Sequence, residues 1–183
     1  MRQTDEIPDR DLIAQYLKGD SDAFATLYAR YRRPLYGYLN KMLPGQTATV
    51  DDIFQQSWIK ATNNLPKYKD KQTFFSWLAR IAHNTAIDNF RRESNRQTVD
   101  LDDIQLAEER EIPWRNLSKT ELGAAITEAV DQLPPDQREV FLLRQQDVPF
   151  KEIAVIQNCS LNTVLGRMHY AVNKLRQTLR DWR

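Results

Sequence analysis

The side chains in this sequence that are suited to nucleophilic, acid–base or metal chemistry are few and scattered. Its only histidines are His83 and His169, and its only cysteine is Cys159. They give no metal-ligand spacing and no internal disulfide, so we expect Cys159 to be a small buried apolar residue. Aspartates cluster only at a predicted helix start, Asp51–Asp52, and in a poorly periodic segment around position 102. We therefore expect no catalytic residue, no metal, no cofactor and no enzymatic activity.

The charged residues are distributed unevenly along a chain of 183 residues whose net charge is only +1. The segment 60–96 is basic, the segment 100–111 (DLDDIQLAEERE) is strongly acidic, and the residues from 144 onward are basic again. Two basic modules therefore flank an acidic connector. Solvated surface charge produces the same pattern, so motifs must decide what the basic modules bind.

Apolar residues recur at helical spacing along most of the chain, without a convincing period-two strand, which predicts an all-α protein. The first part of the chain is predicted to form four helices. The first ends near Gly19, and the second runs from Phe24 to Met42 with Ser21 or Asp22 as its cap. The third begins at Asp51 or Asp52 and ends at Pro66, and the fourth runs from Phe74 to Phe90. Poor periodicity then predicts a flexible acidic linker at 96–118. It separates two small helical domains, 1–95 and 119–183.

The composition and the N-terminal residues predict where in the cell the protein is found. Hydrophobic residues make up 41% of the chain and charged residues 28%, as in ordinary soluble globular proteins. No apolar run approaches the length of a membrane span, and MRQTDEIPDRD lacks the apolar stretch of a signal peptide. We expect a cytoplasmic protein without membrane insertion.

The stretch EIAVIQNCSLNTVLGRMHYA, residues 152–171, predicts a short helix, an abrupt joint and a longer helix. Asn158 tolerates the left-handed conformation that a tight joint needs, and Ser160 is placed to cap the second helix. Upstream, Asp136 is a plausible cap for a helix over Gln137–Gln145. The joint is that of a helix-turn-helix, whose second helix reads base edges in the major groove. A helical hairpin of purely structural purpose has the same spacing.

Two long segments carry a family resemblance. LPPDQREVFLLRQQDVPFKEIAVIQNCSLNTVLGRMHYAVNKLR resembles the fourth region of bacterial sigma factors of the extracytoplasmic-function (ECF) group, and DDIFQQSWIKATNNLPKYKDKQTFFSWLARIAHNTAIDNFRRE resembles their second region. With DAFATLYARYRRPLYGYL, the likeness covers nearly the whole chain except the extreme N-terminus and the acidic connector. It implies a dissociable promoter-specificity subunit of bacterial RNA polymerase that is not itself an enzyme.

The resemblance implies two surfaces in the N-terminal domain. The positions that match the contact with the β′ clamp helices of core polymerase are Asp52, Gln55, Gln56 and Trp58. The positions that match minus-10 recognition and DNA melting are Lys67, Tyr68, Lys69, Lys71, Asn84, Asp88, Arg91 and Arg92. Other roles are equally compatible with the sequence, namely Asp51 and Asp52 as simple helix caps and Trp58 as a core residue. Helical spacing also indicates that four aromatic and apolar residues belong to the core rather than to a base-stacking surface: Phe74, Phe75, Trp77 and Leu78.

In the C-terminal domain the resemblance implies minus-35 recognition by the second helix of the helix-turn-helix. The residues on its reading face are Asn162, Thr163, Leu165, Gly166, Arg167, His169 and Tyr170. Three of them depart from the family pattern: Leu165 stands where a cation is usual, Gly166 where a small hydroxyl is usual, and Tyr170, like the neighbouring Val172, where arginines often occur. Leu165 suits a thymine methyl, and Gly166 allows close backbone approach at a cost of about 1 kcal/mol in helix propensity.

The partners that the resemblance implies are core RNA polymerase, through its β′ clamp helices and β flap, promoter DNA and an anti-sigma factor. The acidic connector resembles the linker that sigma factors thread toward the polymerase active centre, and a solvated tether is equally compatible with it. A stand-alone helix-turn-helix regulator is the alternative function. Binding to core polymerase, rather than to promoter duplex alone, distinguishes the two.

Overall fold

The structure is a computed structural model that describes residues 7–70, 73–97 and 121–180, and all of the regular elements in these ranges are helical. The helices are α1 (Asp9–Leu17), α2 (Ser21–Met42), α3 (Thr47–Asn64), α4 (Phe74–Gln97), α5 (Glu121–Asp131), α6 (Pro135–Gln145), α7 (Phe150–Ile156) and α8 (Leu161–Thr178), with a 3₁₀ turn at Leu65–Lys67. The predicted all-α class is confirmed. Within the described ranges, no helix combines the length and the apolarity that a membrane span requires.

Helices α1–α4 form a first group around the apolar stripe of α2. Leu27, Leu35 and Leu39 are fully buried, and their spacing places them on one face of this 22-residue helix. The stripe packs against α1, α3 and α4, and α3 and α4 also pack against each other. The helix continues through Pro34. The first group is thus organised around one long central helix.

Two predicted helix starts in this group are wrong. The cap of α2 is Asp20, whose carboxylate accepts hydrogen bonds from two backbone N–H groups, rather than Ser21 or Asp22. Helix α3 begins at Thr47, one turn before the predicted cap at Asp51 or Asp52. The turn before α3 is made by Gly45 at φ +79°, and the low helix propensity of the following threonines concealed the true start.

Helices α5–α8 form a second group in which α8 packs against α5, α6 and α7. Val164, Ala171 and Leu175 are its buried residues. The predicted joint between α7 and α8 is confirmed: Asn158 has φ +49°, and the Ser160 hydroxyl accepts a hydrogen bond from the Thr163 N–H at 3.1 Å. The helix-turn-helix therefore has the local chemistry that its sequence predicted.

Two other expectations in this group need correction. The N-cap of α6 is Pro134, with Pro135 at the first helical position, so Asp136 lies within the first turn. Proline fits that position because its fixed φ suits a helix start and its missing N–H is not needed there. Cys159 is only partly buried rather than a core residue, because it lies in the joint between α7 and α8.

The two helix groups pack against each other, with α6 against α2 and α7 against α4. At this contact the carboxylate of Glu139, a 97%-buried side chain of α6, accepts hydrogen bonds from the hydroxyl of Tyr38 on α2 and from Nε2 of Gln157, and pairs with Nδ1 of His83 on α4 at 2.7 Å. Burial and the adjacent carboxylate raise the pKa of Tyr38 well above its ordinary value, which keeps this donor protonated.

Arg138, the neighbour of Glu139, is also buried at the contact between the groups. Its guanidinium donates to the carbonyls of Asp131 and Leu133 after α5, the latter at 2.9 Å. It also approaches the last carbonyls of α2, those of Lys41 and Met42, at 3.5 and 3.4 Å. The last two distances are long for hydrogen bonds, but a cation is favourable at a helix C-terminus.

Glu139 should make stability dependent on pH in the acid range. Burial by itself would raise the pKa of this carboxyl, but the bonds from His83, Tyr38 and Gln157 outweigh it and lower the pKa below 4.5. A lowered pKa contributes stability that is complete above about pH 4.5 and is lost as the pH falls through the lower folded-state value. We expect the difference in free energy of unfolding between wild type and Glu139→Gln to shrink as the pH falls below about 4.5. Urea titrations measure it, and a constant difference would contradict the assignment.

Candidate functional sites

An aromatic cleft of about 600 Å³ opens between α2 and α3. Its apolar wall includes Tyr28, Phe54 and Trp58, whose rings contact one another. Two cations, Arg32 and Arg33, and the predicted core-binding residue Gln55 complete one side. Such a cleft is suited to bulky apolar side chains of a partner that also carries acidic groups.

The predicted core-binding residues occupy different positions around this cleft. Gln55 is exposed. Trp58 is 94% buried and belongs mainly to the core, which is the alternative role that the sequence analysis gave for this residue. Asp52 is exposed outside the cleft, where its carboxylate accepts hydrogen bonds from Gln56 at 2.7 Å and from Asn89 of α4 at 3.3 Å. The structure thus brings Gln55 and Trp58 to one cleft and leaves Asp52 and Gln56 on the adjoining surface.

The predicted minus-10 loop lies between the 3₁₀ turn and α4. Lys67 and Lys69 are exposed, and the ring of Tyr68 is half-buried, with edge-on contacts to Phe74 and Trp77 at centroid distances of 5.7 and 5.1 Å. Burial, together with nearby carboxylates, raises the pKa of Tyr68 to about 12. The hydroxyl therefore stays protonated at neutral pH. Lys71 lies outside the described residues.

The other predicted minus-10 residues lie along α4. Asn84, Arg91 and Arg92 are exposed, and Asp88 is partly exposed and pairs with Lys60 at 3.7 Å. Phe74, Phe75 and Leu78 are buried and Trp77 is partly buried, as the helical spacing indicated. The exposed surface of α4 therefore carries two arginines that can reach phosphate, next to the exposed apolar residues Ile87 and Phe90.

Helix α8 presents one polar and one apolar side. Val164 and Ala171 are buried, and the predicted reading residues Asn162, Thr163, Leu165, His169 and Tyr170 are all exposed, Tyr170 by 65%. His169 is held by Asn173, one turn on, at 2.8 Å. The exposed side combines hydrogen-bonding groups with the apolar Leu165. This is the chemistry that direct readout of base edges requires.

Arg167, unlike its neighbours on α8, is engaged within the helix-turn-helix. Its guanidinium pairs with the carboxylate of Asp136 at the start of α6 and donates to Oε1 of Gln157 at the end of α7, the latter at 2.8 Å. The side chain is only 25% exposed. In this arrangement Arg167 ties three helices together, and its hydrogen-bonding groups point to protein rather than outward.

Gly166 is not explained by packing. A Cβ built on this residue meets no atom within 4 Å, and its φ lies outside the left-handed range. Neither crowding nor backbone conformation therefore requires glycine here. The absence of a side chain in the middle of the exposed side of α8 instead leaves room for a ligand to approach the backbone.

Two family models match this chain, Sigma-70 region 2 at residues 27–96 and Sigma-70 region 4 at residues 123–175. The ECF RNA polymerase sigma factor SigW of Bacillus subtilis is 31% identical over 179 residues, which cover 92% of this chain and 95% of SigW. The chain belongs to the ECF group of RNA polymerase sigma factors. Its function is that of a dissociable sigma factor that directs promoter-specific transcription initiation.

Further relatives of this ECF sigma factor cover nearly its whole length. The sigma-E factor of Escherichia coli is 29% identical over 178 residues, 92% of each chain. The solved structure of CnrH in complex with the cytosolic domain of CnrY is 26% identical, with a TM-score of 0.63 over 94% of this chain and 97% of that one. The sigma factor RpoE of Bartonella quintana, in complex with the anti-sigma factor NepR, shares the fold with a TM-score of 0.69 over 86% of this chain and 96% of that one, at 19% identity.

Sequence analysis of this ECF sigma factor missed the buried polar contact between the helix groups. A signal for it existed: Glu139 lies one turn before the buried Leu143 and therefore on the core-facing side of α6. A charge at such a position requires partners. Nothing in the sequence indicated that these would be Tyr38 and His83, which are 101 and 56 residues away. The cleft residues Arg32 and Arg33 were likewise missed, because single cations on a surface helix are common.

If Arg167 ties the helix-turn-helix together, its removal should lower the stability of this ECF sigma factor. We expect Arg167→Ala to reduce the free energy of unfolding by about 1 kcal/mol, through the loss of one ion pair and one hydrogen bond. Chemical denaturation measures the change. Lys174→Ala is the control, since Lys174 is exposed on the same helix. A double-mutant cycle with Asp136→Ala that shows no coupling would contradict the assignment.

Proposed function

We propose that the two helix groups divide the work of promoter recognition. Residues 1–95 bind core polymerase and the minus-10 element, residues 119–183 bind the minus-35 element, and residues 96–118 connect them. The observation that carries the proposal is the exposed side of α8, whose hydrogen-bonding groups lie opposite the buried Val164, Ala171 and Leu175. A helix braced in this way by α7 suits insertion into the major groove. We place the protein in the cytoplasm, where it does no catalysis itself.

The cleft between α2 and α3 is the proposed docking site for the β′ clamp helices of core polymerase. Its aromatic wall supplies apolar contact area, and Arg32 and Arg33 supply charge for acidic groups of the clamp. Gln55 at the cleft and Asp52 and Gln56 beside it supply hydrogen-bonding groups. Trp58 contributes chiefly by holding the aromatic wall in place.

The loop 66–73 and the exposed side of α4 form the proposed minus-10 surface. Lys67 and Lys69 attract phosphates, and Tyr68 is positioned at the loop by its contacts with Phe74 and Trp77. On α4 the proposed DNA-facing residues are Asn84, Asp88, Arg91 and Arg92, and Lys71 belongs to this set by the family resemblance.

The exposed side of α8 is the proposed minus-35 reader. Asn162, Thr163 and His169 supply hydrogen-bonding groups, and Leu165 suits a thymine methyl. Gly166 lets the backbone approach the groove. Arg167 positions this helix and reaches DNA only if it leaves Asp136.

Two further partners are proposed, the β flap of core polymerase and an anti-sigma factor. A groove of about 260 Å³ between α6 and α8 is the proposed site for the β flap, and it is lined by Phe141, Val172, Leu175, Arg176 and Leu179. An anti-sigma factor is the other proposed partner. It is supported by the structural similarity to CnrH, which was solved in complex with the cytosolic domain of CnrY.

The clamp assignment predicts that Asp52→Ala combined with Gln55→Ala weakens binding to core polymerase about tenfold or more, because truncation of the few residues that dominate such an interface costs more than about 1 kcal/mol each. Both residues are exposed, so the fold should remain intact. Fluorescence titration with core enzyme measures the affinity. Asn63→Ala on the exposed far end of α3 is the matched control. Unchanged affinity would remove the clamp assignment.

The minus-35 assignment predicts opposite effects of Gly166→Ala on folding and on promoter binding. The added methyl should stabilise α8 by about 0.5 to 1 kcal/mol, since it meets open space in the protein. It should nevertheless weaken binding of the polymerase holoenzyme to promoter DNA, because it occupies the space between backbone and groove. Gly37→Ala is the matched control, since it also lies within a helix and its added Cβ also meets nothing.

Both glycine variants are compared by thermal denaturation and by holoenzyme affinity for one promoter and its single-base variants. Equal promoter affinity of wild type and Gly166→Ala would show that the backbone of α8 does not approach DNA at this point. Tight, specific duplex binding by the protein without core polymerase would instead favour the stand-alone regulator.

A further inference from the structure

Two leucines form an exposed apolar pair at the start of α8. Leu161 is the first residue of this helix and Leu165 lies one turn further on, and the two residues are 38% and 43% exposed. Residues four positions apart share one face of a helix, so their side chains are neighbours. A single exposed leucine is common on protein surfaces. This pair, however, lies at the N-terminal end of a recognition helix, where side chains contact base edges.

The polar residues near this pair already have hydrogen-bond partners inside the protein. The hydroxyl of Thr163 bonds with the hydroxyl of Ser160 at 2.8 Å. Nε2 of His169 bonds with Nδ2 of Asn173, also at 2.8 Å. Binding to a base edge competes with these internal bonds. An exposed leucine loses only its contact with water when it meets another apolar group, and that exchange is favourable.

The cation on this part of α8 is also engaged. Residues 161–170, all of which the structure describes, contain a single arginine or lysine, Arg167. Its guanidinium pairs with Asp136 and donates to Gln157, and its side chain is only 25% exposed. The commonest specific contact in the major groove is a cationic side chain on guanine. The reading end of α8 is therefore poorly equipped for guanine.

The group in the major groove that suits an exposed leucine is the C5 methyl of thymine. An α-helix rises about 1.5 Å per residue, so Leu161 and Leu165 are about 6 Å apart along the axis. Successive base pairs are about 3.4 Å apart. A helix that lies along the groove thus brings the two leucines to base pairs one or two steps apart. Gly166, beside Leu165, has no side chain that would hold the helix away from the bases.

We propose that Leu161 and Leu165 read the C5 methyl groups of two thymines, one or two base pairs apart, in the minus-35 element. This inference rests on the proposed function of the second helix group. It gives Leu161 a role in specificity, and it makes apolar contact with methyl groups, rather than an arginine–guanine pair, the main source of discrimination by α8. The two thymines can lie on the same strand or on opposite strands, because the methyl groups of both strands face the major groove.

The test removes the methyl groups from the DNA. Uracil in place of thymine keeps the base pair and its hydrogen-bonding groups and lacks only the C5 methyl. The probe is a promoter duplex that the polymerase holoenzyme selects from a random library, with each minus-35 thymine replaced by uracil in turn. We expect two positions at which the replacement weakens holoenzyme binding about threefold to fivefold, as the loss of one buried methyl group should. Competition binding measures the affinities.

Substitutions in the protein then show which side chain meets which methyl group. Leu165→Ala should abolish the effect of uracil at one of the two positions, and Leu161→Ala should abolish it at the other. Leu165→Met keeps an apolar side chain of similar length and should retain the effect. Leu122→Ala is the matched control, because Leu122 is a 44%-exposed leucine on α5, outside the recognition helix. Circular dichroism checks that each variant keeps its helices.

Salt dependence separates methyl contact from phosphate contact. Apolar contact releases no counterions, so the ratio of affinities for the thymine and uracil promoters should be the same at low and at high salt. A ratio that falls steeply with salt would contradict the inference.

Other outcomes decide between this inference and the proposed function. A selected minus-35 element without two A·T pairs at this spacing would overturn the methyl contact, as would uracil effects that persist unchanged in both leucine variants. A scrambled minus-35 element tests the proposed function itself. Unchanged holoenzyme affinity for it would show that α8 does not read this element and would refute both claims. Weaker binding to the scrambled element, without any effect of uracil, would refute the methyl contact alone.

Discussion

A carboxylate that has been removed from water needs compensating partners, and Glu139 obtains them from three other helices. Tyr38 comes from α2, His83 from α4 and Gln157 from the end of α7. Because an unpaired charge at this depth would be costly, these helices can pack around α6 only in register with one another. The arrangement of the two helix groups, and with it the relation between their proposed binding surfaces, depends on this one carboxylate.

The same network connects the interior with the helix that is proposed to read DNA. Gln157 donates to Glu139 through its nitrogen and accepts from Arg167 through its oxygen, and Arg167 in turn pairs with Asp136 at the start of α6. A cationic side chain on a recognition helix is usually assumed to contact DNA. Here its partners within the protein explain its position, and the proposed readout of bases falls to shorter and apolar side chains around Gly166.

Each group buries its own apolar stripe, on α2 in the first and on α8 in the second. Each therefore presents an exposed surface of its own, while the buried residues of both groups join in one continuous hydrophobic core.

The sequence by itself determined the helical class, the helix-turn-helix with Asn158 and Ser160 at its joint, and membership of the ECF sigma factors, because these depend on local periodicity, local caps and contiguous motifs. Helix starts at Thr47 and Pro135 were misjudged, since weak propensities and competing caps lie close together there. Only the tertiary structure decided that Glu139 meets Tyr38 and His83, that Arg167 faces protein, and that a cleft opens beside Gln55. Those relations join residues from separate helices, and no local pattern encodes which distant side chain completes a buried charge.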